Sequence, residues 1–138
     1  RLKALGAMTK RLASCSCGKL IVGTQGEPIR VSICHCLACQ KRTGSVFGAQ
    51  ARFPADAVIV EGQSREYVRI GDEGSSVRFH FCPECGSTVF YRFDAIPDVV
   101  AVTVGAFADP DFPRPRVSVY EARQHHWVRL PDGIDHLD

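Results

Sequence analysis

The sequence predicts a mainly β protein, a single small domain of two twisted antiparallel sheets or an open barrel, pinned by cysteine-bearing loops. Three observations carry this. Apolar and polar residues alternate with period two along much of the chain, no stretch sustains the apolar 3.6-residue period of a core helix, and seven cysteines fall in three tight clusters. At 138 residues and 45% hydrophobic content the chain can bury one ordinary core. We expect residues 8–138 to form that domain. Residues 1–7 precede Met8, the only methionine, and are set aside as an added or unstructured lead.

Strands are expected in order. Residues 20–24 and 29–33 flank a Gly26-Glu27-Pro28 turn, and 46–53 places Val46 and Gly48 opposite Phe47, Ala49 and Ala51. Short alternating runs follow at 58–60, 66–70, 77–81, 88–93, 99–104 and 117–120. Residues 37–42, 55–58 and the stretch after Gly105 offer a helical turn or two each. No apolar run, 99–104 included, approaches the roughly 20 residues that cross a bilayer. A soluble, cytoplasmic protein without a membrane partner is the expectation.

The cysteines stand as Cys15-Ser16-Cys17-Gly18, Cys34-His35-Cys36-Leu37-Ala38-Cys39 and Cys82-Pro83-Glu84-Cys85-Gly86. Partners so close in sequence would close loops too tight for unstrained disulfides, and their number is odd, so metal ligation is the better reading. In the third cluster, proline fixes the turn and glycine can take positive φ, which lets backbone N–H groups point at thiolates. Pairing Cys82 and Cys85 with Cys15 and Cys17 gives a Cys₄ tetrahedron, the pattern of a closed structural zinc site.

Cys34, Cys36 and Cys39 remain, three ligands that leave a fourth position open, the arrangement of a catalytic zinc. His35 or His80 in that position would instead close a Cys₃His structural site, and buried free thiols are a third reading. All-thiolate tetrahedral sets suit zinc or iron, and the absence of iron–sulfur cluster spacing favours zinc, two ions per chain. Seven thiolates (−7) and two Zn²⁺ (+4) turn the formal charge of +2 into −1. With no run of four basic residues, a nucleic-acid partner is not expected.

Taken in order, Cys15-x-Cys17-Gly18, Cys34-His35-Cys36-x-x-Cys39-Gln40-Lys41-x-Thr43-Gly44-Ser45-x-Phe47 and Phe81-Cys82-x-x-Cys85-Gly86-Ser87 resemble the glutathione-dependent formaldehyde-activating enzyme family, also called the GFA/CENP-V domain family. The resemblance covers nearly the whole chain after Met8. It implies a β-rich, Mss4-like fold, structural zinc on Cys15, Cys17, Cys82 and Cys85, and catalytic zinc on Cys34, Cys36 and Cys39. It also implies a carbon–sulfur lyase activity that forms or cleaves S-hydroxymethylglutathione from a glutathione-like thiol and an aldehyde. Around Ser118 the sequence departs from the family, whose formaldehyde-activating members often carry a histidine there.

Glutathione is anionic, so a pocket for it needs cations. Lys41 and Arg42 are the candidates for its carboxylates, with Arg52 and Arg78 behind them. Thr43-Gly44-Ser45 is either a ligand-facing loop or a plain turn. Phe47, Phe79, Phe90 and Trp127 are expected in the core or a pocket wall. The alternatives to an enzyme are a zinc-stabilised binding module, as CENP-V permits, and a redox or metal-storage role for the thiolates.

Overall fold

Alternation of side chains across paired strands governs the architecture seen in the computed structural model, which describes residues 8–137. The lead segment 1–7 lies outside the described residues. The strands are β1 (Lys10–Ser14), β2 (Ile21–Gln25), β3 (Arg30–Cys34), β4 (Gly48–Pro54), β5 (Val58–Glu61), β6 (Arg65–Ile70), β7 (Ser76–Phe81), β8 (Thr88–Phe93), β9 (Val99–Thr103), β10 (Val117–Val119) and β11 (Asp135–Leu137). One short helix, α1 (Leu37–Thr43), joins β3 to β4. Single 3₁₀ turns occupy Ala55–Ala57, Val104–Phe107 and Glu121–Arg123, the first two at places where the sequence offered helical turns. No helix among the described residues is long and apolar enough to cross a membrane.

The strands form two sheets, β1-β2-β5 and β11-β10-β3-β4-β9-β8-β7-β6, with no closed barrel. Pairing is antiparallel as expected except at one edge, where β10 runs parallel to both β3 and β11. The two sheets enclose the main core. Leu20 and Val22 from the small sheet meet Ala51, Phe53, Val89, Val100 and Val102 from the large one, all without solvent exposure. Each such aliphatic or aromatic side chain contributes about 1.5–3 kcal/mol through burial. Phe107 packs 6.3 Å from Phe53 and 4.6 Å from Phe112, closing the end of this layer.

The opposite face of the large sheet positions the site. Ala101, Tyr91, Phe79 and Tyr67 are register partners on β9, β8, β7 and β6, so they form one row across four strands. Arg42, at the end of α1, lies over the Phe79 ring at 5.1 Å and over Tyr91 at 5.2 Å, in cation–π range.

β1 and β11 lie outside the strands expected from the sequence. In β1 only Ala13 is fully buried, and all three residues of β11 are exposed, so both are held by backbone pairing with little apolar signal. Trp127, expected to be buried, is 60% exposed, with its ring 6.3 Å edge-on from His125.

Candidate metal centres

The two outer cysteine clusters are built alike. Cys15 N–H donates to Leu20 O, Gly18 N–H to Cys15 O, and Leu20 N–H to the Cys15 sulfur at 3.2 Å. In the other, Cys82 N–H donates to Ser87 O, Gly86 N–H to Cys82 O, and Glu84 N–H to the Cys82 sulfur at 3.4 Å. Gly18 and Gly86 stand at φ +82° and +81°, which an L side chain adopts only with strain, and these turns aim the N–H groups at sulfur. Ser16 Oγ and Ser87 Oγ, 3.0 Å apart, bind the two turns to one another.

The sulfurs of Cys15, Cys17, Cys82 and Cys85 all lie within 4.8 Å of one another. Cys17 is 3.6 Å from both Cys15 and Cys82. Four sulfurs placed about 2.3 Å from a common centre make a tetrahedron of edge roughly 3.8 Å, so this set fits zinc. Hydrogen bonding by the Ser87 hydroxyl and by backbone N–H groups holds the Cys85 thiol at about 5, while, against a backbone hydrogen bond from Lys19, desolvation and neighbouring thiols push Cys17 up to about 11.

The middle cluster hangs on β3 and α1. Cys34 ends β3 and is buried; Cys36 is the N-cap of α1, its sulfur accepting from Cys39 N–H at 3.3 Å; Cys39 occupies the first turn. The three sulfurs lie within the same 4.8 Å limit. Hydrogen bonding from Cys34, then from Cys36 and Arg42, holds Cys39 at about 5 against the opposing effect of burial. The shared hydrogen bond and burial push Cys34 far up in turn.

Neither histidine raised as a fourth ligand joins this cluster. His35, wholly buried, points its Nε2 at Ser118 Oγ 3.1 Å away. His80 contacts Ser64 and Glu66 and stacks on Phe90 at 4.5 Å, while its neighbours Phe79 and Phe81 face the other side. Among the described residues, the set is three thiols without an imidazole.

A cavity of about 320 Å³ opens beside Cys39, lined by Ala38, Lys41, Arg42, Tyr67, Arg69, Phe79, Phe81 and Thr88. Lys41 and Arg42, the cations expected for a thiol's carboxylates, are in this lining. Arg78 does not: its guanidinium is committed to Asp94 at 2.8 Å and Glu66 at 3.1 Å. Arg52 sits over the Phe93 ring at 4.8 Å, outside the cavity lining. Tyr67 and Arg69 were missed from sequence because β6 reaches this place only through the pairing of distant strands.

Thr43-Gly44-Ser45 resolves as a helix terminus. Gly44 at φ +74° caps α1 and the Thr43 hydroxyl donates to Cys39 O at 2.9 Å. A second cavity of about 340 Å³ runs from Thr43, Phe47 and Gly48 to Gly86 and Ser87, between the two cysteine sets, and also touches Arg42. Gln40 fastens α1 to the C-terminal segment, donating to His35 O at 2.9 Å and Arg123 O at 3.1 Å and meeting His125 Nε2 at 3.0 Å.

A two-sheet β fold carrying one four-thiol and one three-thiol set defines a protein whose cysteines could hold zinc. The chain belongs to the glutathione-dependent formaldehyde-activating enzyme family, whose sequence profile matches residues 10–123. A crystal structure of a Rhodobacter sphaeroides protein, a structural genomics target, shares the fold. It has 20% sequence identity and a TM-score of 0.56, with 74% of this chain and 92% of that chain covered. No curated protein matches the chain.

Proposed function

We propose that the protein is a zinc-dependent carbon–sulfur lyase of the glutathione-dependent formaldehyde-activating type, cytoplasmic, its residues 8–138 acting as one domain. It forms or cleaves a thiol–aldehyde adduct such as S-hydroxymethylglutathione. The observation that carries this reading is the convergence of Cys34, Cys36 and Cys39 with no fourth ligand side chain among the described residues, at the edge of a cavity containing Lys41 and Arg42. Cys15, Cys17, Cys82 and Cys85 would hold a structural zinc, and Cys34, Cys36 and Cys39 a catalytic one. When bound at the open set, zinc supplies Lewis-acid and thiolate-stabilising character.

The chain's own residues do the rest. Lys41 and Arg42 receive the carboxylates of a glutathione-like thiol, which offsets the net negative charge of a three-thiolate zinc centre. The walls of the cavity hold thiol and carbonyl together, so that sulfur meets carbon in a preset orientation. In the forward direction a C–S bond forms, the C=O π bond opens, and the thiol proton ends on the new hydroxyl.

The alternative is a non-catalytic zinc-stabilised binding module. Zinc stoichiometry on protein purified without added metal, measured for wild type and Cys36→Ser during glutathione titration, separates the two. Two zincs per chain, with the second lost in Cys36→Ser and perturbed by glutathione, support the enzyme. Two zincs indifferent to thiols favour the module, and one or none contradicts the four-plus-three partition.

A further inference from the structure

The cavity beside Cys39 is far larger than a two-heavy-atom aldehyde needs. Its volume of about 320 Å³ falls in the range of sites for organic ligands, roughly 300–1,000 Å³. Its wall is aromatic: Phe79 and Phe81 from β7 and Tyr67 from β6, with Thr88 and Ala38 completing it. Tyr67 is 60% exposed, so an aromatic face stands uncovered at the mouth. Arg69 lies over Phe79 at 5.7 Å, and among the described residues neither Arg69, Arg42 nor Lys41 is in an ion pair. Arg69, with no carboxylate partner and set beside an aromatic wall, suits a ligand with both an apolar ring and an anionic group.

The second cavity differs. Thr43, Ser87 and Thr103 give it a more mixed lining beside Phe47 and Ala49, and it meets the first at Arg42 and Thr88. The joined cavities have room for two organic substrates, a peptidic thiol reaching from the second cavity to Arg42 and Lys41, and an apolar partner against the aromatic wall of the first.

We propose that the carbonyl substrate of this site is an aromatic aldehyde bearing a carboxylate, its ring against Tyr67 and Phe81 and its carboxylate on Arg69. This rests on the reading of the three-thiol set as a thiol–aldehyde centre. The reaction is addition of the thiol S–H across the aldehyde C=O. Sulfur bonds to the carbonyl carbon, the π electron pair goes to oxygen, and the thiol proton follows it, so no oxidant or reductant is consumed.

The test uses zinc-loaded protein with glutathione, comparing 4-carboxybenzaldehyde with formaldehyde, and measures binding of the unreactive 4-methylbenzoate against acetate by calorimetry. The aryl compound is expected to win both comparisons by at least about tenfold. Tyr67→Ala and Arg69→Gln each reduce that preference about tenfold or more. Val68→Ala, one position along β6 and paired with Arg78 on its far side, leaves it intact.

Turnover of formaldehyde with no preference for the aryl compounds, or a preference untouched by Tyr67→Ala and Arg69→Gln, overturns the aryl assignment while the parent reading stands. Tight 4-methylbenzoate binding with no glutathione-dependent loss of either aldehyde overturns the parent reading, and with it a carbonyl occupant for the cavity.

Discussion

Removing the Ser118 hydroxyl isolates one buried contact behind the three-thiol loop. His35 and Ser118 are both without solvent exposure and lie 3.1 Å apart, Nε2 to Oγ. The two atoms share one hydrogen bond in which either can be the donor. Nδ1 has no partner, so in Ser118→Ala both ring nitrogens would be unpaired.

A buried polar group deprived of its partner costs about 1–3 kcal/mol, and about 2 is expected here because the space left by one oxygen is small. With an unfolding entropy near 2.1 cal/mol/K per residue, a chain of this length should lose about 7 °C in Tm. Urea unfolding and thermal scans at fixed zinc measure it. In a His35→Phe background the same substitution should cost much less, since the stranded ring nitrogen is gone. A Tm change under about 2 °C, or an equal penalty in both backgrounds, refutes the reasoning.

Further outcomes follow from other parts of the fold. Phe53→Ala, at a position with no exposure between the sheets, should destabilise by about 3–5 kcal/mol in urea titrations. Gly62→Ala should be worse tolerated than any exposed alanine substitution, because its Cβ would collide with Lys19 O at a backbone φ of +97°; a Tm near wild type would contradict this backbone approach. Chelation of zinc should raise hydrogen exchange in β1 and β2 before β8 and β9, since the four-thiol set is where the turn between β1 and β2 meets the turn between β7 and β8. Uniform loss of protection would count against it.

Glu121 is stabilised as carboxylate by Ser118 and His136, so its contribution is present above its unfolded pKa and lost as pH falls through the lower folded value. The stability gap between wild type and Glu121→Gln should therefore narrow in acid, and a gap that widens there would reverse the sign.

What the sequence made legible follows from how strongly each element marks itself. Strands buried on a face declare themselves by alternation, as in Val77-Arg78-Phe79-His80-Phe81, which is β7 with Phe79 buried and Arg78 paired outward. β11 has three exposed residues and no such mark. The partition of the cysteines was readable because ligand spacing is local, and the structure gathers the same four and the same three. The cavity was only half readable. Lys41 and Arg42 neighbour Cys39 in sequence, whereas Tyr67 and Arg69 arrive on the far edge of an eight-stranded sheet. Arg78 could not be told from a free cation until Asp94 and Glu66 were seen against it.

The two halves of the four-thiol set also order events during synthesis. Cys17 and Cys82 are 65 residues apart. Joining them through a metal acts as a cross-link, and the loop-closure entropy for that span is about 4 kcal/mol at 25 °C. Cys34, Cys36 and Cys39 close no such loop. At about 5–20 residues per second, Cys15 and Cys17 leave the ribosome several seconds before their partners, and the compact triad is complete in the interval. On the proposed two-zinc reading, a nascent chain would offer its three-thiol set first and its four-thiol set last, so the final metal to enter would record the docking of the small sheet on the large one.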